Sequence, residues 1–273
     1  MKKLVVIALI VIGVLGALML GVRMYARSIL YQPSTAIVAP TLAGVSAERV
    51  ETSDGQTLVA WYAAPQPGQP IFLYFDGNGG APEGWDARWR AITAHGAGFL
   101  AVYYRGYSGS SGSPSEAGLI TDARAGYDWL IARGYAPEQI VIHGFSLGSA
   151  VAVQLAAARP ARALILEAPM TGIDDIARAY GPGFFPNIMR DSFRSRDFIG
   201  RVHYPVLIAH GDADSVIPFA HGQAMFALAN EPKIFARFPG GDHADLPARG
   251  LYAHIWAFLE SPDGQSRPQD AEN

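Results

Sequence analysis

The chain contains no cysteine. Disulfides, thiolate metal sites and a cysteine nucleophile are thereby excluded, while the redox compartment stays open. Charge is sparse too: Asp, Glu, Lys and Arg make up 16% of the 273 residues, and the formal net charge is −3. No basic block or stripe runs through it, so the footprint of a nucleic-acid binder is missing and no nucleic-acid partner is expected. There is no internal repeat and no low-complexity block. What the chain has in quantity is apolar side chains, 50% of the total, part of them gathered in a single N-terminal run.

That run extends from Leu4 to Val22 behind Lys2 and Lys3. As a helix it spans roughly 28 Å, close to the hydrocarbon thickness of a bilayer. A cleaved signal peptide has a shorter apolar core and a small-x-small cleavage site. Here the run ends in Met19-Leu20-Gly21-Val22 and passes to Arg23, Tyr25 and Arg27. Residues 1–30 are therefore expected to be an uncleaved membrane anchor, with a signal peptide as the alternative. Lys2, Lys3 and the α-amino group, weighed against Arg23 and Arg27, slightly favour a cytoplasmic N-terminus and an exported catalytic domain on the periplasmic or extracellular side.

Residues 31–47 read as a connector and 48–261 as one globular unit. Arg49–Thr52 and Thr57–Tyr62 flank Ser53-Asp54-Gly55, the chemistry of a β-hairpin. Apolar runs then recur at Ile71–Phe75, Phe99–Tyr104, Ile140–His143, Ala163–Glu167, Val206–His210 and Ile234–Phe238, with helical stretches expected near 84–95, 121–133, 147–158, 219–229 and 247–260. Continuous apolar strands alternating with helices predict an α/β fold whose mostly parallel central sheet is covered on both faces. Residues 170–203 break the rhythm and read as a lid, and the polar segment 262–273 is expected to be a disordered tail.

The strongest local pattern is Gly144-Phe145-Ser146-Leu147-Gly148, a G-x-S-x-G between a strand and a helical stretch. A serine there sits on a strained turn, its flanking glycines removing Cβ atoms that would block it, at a helix N-terminus that favours a developing oxyanion. A serine hydroxyl needs a base to take its proton and an acid to orient that base. Downstream, His210-Gly211-Asp212-Ala213-Asp214 follows one apolar strand and Gly241-Asp242-His243 follows the last. Asp214 lies farther into its loop and is preferred as the acid; its rival Asp212 suits turn chemistry. Of the seven histidines, His243 stands at the end of the final strand and its turn, downstream of both Ser146 and Asp214, whereas His254 lies in the last helical stretch. His210 reads as structural in its own loop. The backbone N–H of Leu147 and that of Asn78, in Asp76-Gly77-Asn78-Gly79-Gly80, are the expected oxyanion donors.

These residues together resemble the α/β-hydrolase superfamily over about residues 48 to 260, and within it the membrane-anchored serine hydrolases of the ABHD type. Tyr74–Gly80, the segment Tyr104-Arg105-Gly106-Tyr107-Ser108-Gly109-Ser110-Ser111-Gly112-Ser113-Pro114, the elbow at Ser146, His210–Asp214 and Gly241–His243 carry the resemblance. It implies Ser146, Asp214 and His243 as a catalytic triad with Asn78 and Leu147 as oxyanion donors, and relatives that include lysophospholipase-like and depalmitoylating enzymes. One departure is that many members have His-Gly where this chain has Asp76-Gly77; the donor itself is a backbone amide. The expectation is a serine hydrolase of carboxylic ester or thioester bonds, acting on a small-molecule or lipid-like ester substrate, with no metal or organic cofactor. An aromatic and methionine-containing stretch in the lid, Ala179 to Met189, offers contacts for an acyl chain or simply packs the lid down. Rival readings are a peptidase or acyltransferase on the same triad and a non-catalytic, membrane-tethered binding protein.

Overall fold

The computed structural model describes residues 2–34, 36–80, 86–179 and 191–261. The N-terminal run forms α1 (Lys2–Leu30), after which the chain is irregular up to β1 (Ser46–Glu51). Strands β1 and β2 (Thr57–Ala63) form the expected antiparallel hairpin around Asp54-Gly55. Strands β3 (Ile71–Phe75), β4 (Gly98–Val102), β5 (Ile140–Phe145), β6 (Ala163–Glu167), β7 (Val206–Gly211) and β8 (Lys233–Phe238) complete one eight-stranded sheet in the order β1-β2-β4-β3-β5-β6-β7-β8. From β4 to β8 every neighbouring pair is parallel. The antiparallel pairs are β1–β2 and β2–β4, at one edge.

The helices are α2 (Asp86–Thr93), α3 (Glu116–Ala132), α4 (Leu147–Ala156), α5 (Ile173–Ala179), α6 (Phe219–Leu228) and α7 (Leu251–Glu260). Every residue of β3, β4, β5, β6 and β7 is buried, as a sheet covered on both faces requires. Alternation along β3 shows the two layers. Phe72 meets Trp256 of α7 at 5.6 Å and Tyr74 meets Trp89 of α2 at 5.2 Å. Leu73, between them, packs on the opposite side, where a Cβ on Gly126 of α3 would stand 3.2 Å from its Cδ1.

Helix α3 begins at Glu116, ahead of the expected 121. Ser115, in extended conformation, caps it by accepting from the Gly118 N–H at 3.1 Å, and this cap outweighs the weak helix preference of Gly118. Helix α7 begins only at Leu251, after the left-handed Gly250. Of the segment read as a lid, residues 170–179 and 191–203 are described and include α5; Tyr180 to Arg190, with its aromatic and methionine residues, lies outside the described residues.

Candidate active site

The parallel strands deliver their loops to one edge of the sheet, where ligands gather in α/β folds. Strand β5 turns directly into α4 at Ser146, whose backbone has φ 52° and ψ −120°, a region that L-residues enter only when their surroundings hold them there. The glycines on either side are required by contact. A Cβ on Gly144 would stand 2.2 Å from the Gly148 oxygen, and one on Gly148 would stand 2.1 Å from the Phe75 oxygen. The turn is tied to β6 by the Ser146 N–H donating to the Glu167 oxygen at 2.9 Å.

Beyond β7 and β8 two loops bring the other residues in. The structure draws Ser146, His243 and Asp214 together: His243 Nε2 lies 2.9 Å from Ser146 Oγ and Nδ1 lies 2.9 Å from Asp214 Oδ2. With its proton on Nδ1, the imidazole donates to Asp214 and accepts from the serine hydroxyl. The two loops are cross-linked by Asp242, whose Oδ1 accepts from the N–H and hydroxyl of Ser215 at 2.9 and 2.8 Å. Asp214 Oδ1 accepts from the N–H groups of Val216 and Ile217 at 2.8 and 2.7 Å. Burial alone would raise the pKa of this carboxylate, but hydrogen bonds from His210, His243 and the Ile217 amide hold it well below the usual range. Asp212, the rival acid, instead accepts from the Gly240 N–H at 2.6 Å and pairs with Arg237 at 2.7 Å, shaping the turn.

Three features were not read from the sequence. His210, taken as structural in its own loop, reaches the acid: its Nε2 is 3.2 Å from Asp214 Oδ2 and 3.0 Å from the Ile217 oxygen. No sequence pattern marks that contact, because it depends on how the loop turns back. Below the elbow lies a fully buried cluster in which Arg88 of α2 grips Glu167 at 2.7 and 3.1 Å, with His143 Nε2 at 3.3 Å from the same carboxylate. The third feature is a wall of the pocket described next.

Ser146, Leu147 and Asn78 border a cavity of about 480 Å³, within the usual size of small-molecule sites. Its sides are Ala26, Ile29 and Leu30 of α1 and Ile173, Ile176 and Ala177 of α5. Met170, Val216 and Ile217 supply the rest of an apolar lining. The contribution from α1 has a legible trace, since positions 26, 29 and 30 form an i, i+3, i+4 stripe past Arg23. Among the described residues no acceptor takes the backbone N–H of Asn78 or of Leu147. The Asn78 carbonyl is held by the Tyr107 hydroxyl at 2.9 Å and the Gln32 N–H at 3.2 Å. Arg105, in the Tyr104–Pro114 segment, clasps Asp122 of α3 and Asp54 of the hairpin at 2.8 and 2.7 Å, so it braces the scaffold. Among the described residues no cluster of His, Asp and Glu is arranged to hold a metal ion.

No protein-family model matches the chain. It is 35% identical over 271 residues to the uncharacterized protein Rv2307c of Mycobacterium tuberculosis, covering 92% of this chain and 95% of that one. It is 34% identical over 198 residues to the lysophosphatidylserine lipase ABHD12 of Danio rerio, covering 63% of this chain and 51% of that protein, so the match takes in about half of the relative's length. Among solved structures, the esterase Pf2001 of Pyrococcus furiosus superposes with a TM-score of 0.67 at 16% identity over 84% of this chain and 98% of that one, a likeness of fold.

Proposed function

Because this chain belongs to the α/β-hydrolase superfamily, in its ABHD-type branch, we propose that it is a serine hydrolase that cleaves carboxylic ester or thioester bonds through an acyl-enzyme. The observation that carries this reading is His243 bridging the Ser146 hydroxyl and the Asp214 carboxylate at 2.9 Å on each side. His243 Nε2 takes the hydroxyl proton as Ser146 Oγ attacks the substrate carbonyl, and Asp214 stabilises the imidazolium. The N–H groups of Asn78 and Leu147, open toward the cavity, receive the oxyanion. The imidazolium then protonates the leaving alcohol or thiol. Water, deprotonated by the same imidazole, releases the acid and restores the serine.

The apolar cavity favours substrates with an acyl chain, lipid-like or otherwise. Helix α1 is long and apolar enough over Val5–Leu30 to cross a membrane; in this reading it anchors the enzyme, with Lys2 and Lys3 on the cytoplasmic side and the domain exported. The test is labelling of detergent-solubilised protein with a fluorophosphonate probe, beside Ser146→Ala and His243→Ala. Labelling should vanish in the first variant and collapse in the second, with ester turnover falling by at least about 10⁴-fold in Ser146→Ala. Ester turnover that survives Ser146→Ala removes the mechanism.

A further inference from the structure

Helix α1 does two things that an anchor alone need not do: its last turn is fastened to the domain, and it lines the cavity beside Ser146. The Arg27 guanidinium donates to the Pro114 oxygen. Tyr31 is 4% exposed and meets Phe193 edge-on at 6.4 Å. The chain just past the helix donates from Gln32 N–H to the Asn78 oxygen at 3.2 Å, and Ser34 accepts from the Ser108 N–H at 2.7 Å. Ala26 and Leu30 are buried against the domain, whereas Ile29 borders the cavity and stays 43% exposed.

Toward the N-terminus the described apolar side chains of the helix are exposed, from Val5 to Met24. About 20 helical residues cross a hydrocarbon layer, so the turn that carries Ala26, Ile29 and Leu30 emerges at the membrane surface. The cavity mouth is then set against the lipid, with α1 as a continuous apolar path from bilayer to serine.

We propose that Ala26, Ile29 and Leu30 form a substrate-binding wall, which receives the acyl chain of a substrate leaving the lipid layer and so sets chain-length preference. The inference rests on the hydrolase reading above and adds that the membrane segment is itself part of the acyl site. Each methylene moved from water onto an apolar wall contributes about fourfold in binding, so a charge placed in that wall penalises long chains selectively.

The test uses the full chain in lipid nanodiscs, comparing kcat/KM for p-nitrophenyl dodecanoate and butyrate in the unmodified protein, Ile29→Asp and Ser28→Asp. Ser28 is an exposed neighbour whose side chain does not line the cavity. A methyl fluorophosphonate reports the Ser146 nucleophile separately. The dodecanoate-to-butyrate ratio should fall by at least about tenfold in Ile29→Asp and by less than about twofold in Ser28→Asp. Ile29→Ala, which carries no charge, should lower the ratio by about threefold and gives the reading if the aspartate prevents folding. An unchanged ratio in labelled Ile29 variants overturns the wall, as does an equal fall in Ser28→Asp. Absence of labelling in the unmodified chain overturns the hydrolase reading instead.

Discussion

Two carboxylates close neighbouring strands of the sheet, Glu167 at the end of β6 and Asp214 just past β7; the first meets His143 and the second meets His210 and His243. Their surroundings part them. Glu167 is gripped by the Arg88 guanidinium inside a fully buried cluster, where Arg88 also reaches the Tyr252 hydroxyl at 3.3 Å. Burial raises the Glu167 carboxyl, and Arg88 and His143 more than offset it, leaving its pKa at about 2. With the countercharge already present, His143 gains little from a proton: burial pushes its pKa down, and Arg88 adds to the effect. Asp214 has no arginine or lysine partner among the described residues; its charge is met by imidazoles and amide N–H groups. A carboxylate left without a permanent countercharge is available to stabilise an imidazolium as it forms during proton transfer. The lower cluster therefore holds α2 and β6 beneath the elbow, and the upper one is suited to move a proton.

The widest separation of the two regions should come from neutralising Asp214. Asp214→Asn is expected to lower kcat for ester hydrolysis by about 10⁴-fold with little change in thermal unfolding, whereas Asp212→Asn, which disturbs only the exposed Arg237 pair, should change kcat by less than about twofold. Comparable losses in both variants would return the acid's role to an open contest between them.

Neutralising Glu167 should act in the opposite sense. Glu167→Gln removes the carboxylate that meets the buried Arg88 charge, so denaturant unfolding at pH 7 should become about 3–5 kcal/mol easier, while kcat per folded molecule stays within about threefold. The acid dependence follows from the direction of the shifts. Glu167 has a folded pKa of about 2 against an ordinary 4.5, so its contribution is complete above the unfolded value and is lost as pH falls through the folded one. His143, held neutral by burial, adds to the loss once pH drops below its ordinary 6.5, because the unfolded chain then binds a proton that the folded one refuses. The stability gap between wild type and Glu167→Gln should thus narrow between pH 4.5 and about 2, as read by unfolding at several pH values. A gap that stays constant through that range would mean Glu167 is not the group being titrated.

The smallest expected effect sharpens the upper region. His210→Phe keeps an aromatic ring against Phe219 and Gly222 but removes the hydrogen bond to Asp214. It should lower kcat by about tenfold, in keeping with the worth of one hydrogen bond to a charged group, and leave KM nearly unchanged. A rise in KM with constant kcat would make His210 a support of the pocket wall at Ile217 rather than of the acid.

Much of this was legible in linear order because it rests on local rules. The apolar period announced buried parallel strands, and Asp54-Gly55 announced the hairpin. Glycines two residues either side of Ser146 announced a turn too tight for side chains; the nearest contact that forbids a Cβ at Gly144 comes from Gly148 within the motif, whereas those at Gly148 come from Phe75 and Asp76 after β3 and needed the fold to supply them. Order along the chain also singled out Ser146, Asp214 and His243 as candidates, their loops being the ones that follow strands. The start of α3 was missed because a single cap at Ser115 overrode the propensity of the residues after it.

Only the folded chain decided which distant residues share a space. Glu167 reads as the polar end of a strand until Arg88, 79 positions earlier, is folded over it. His210 reads as a loop residue until the Asp214 loop turns back on it. The stripe Ala26, Ile29, Leu30 has the period of any helix face, and its period carries no record of which surface it meets. Sequence determined the elements and the chemistry each loop can present, because backbone sterics and apolar period act over a few residues. Tertiary packing decided countercharge and enclosure, because electrostatics and burial act through space between residues far apart in the chain.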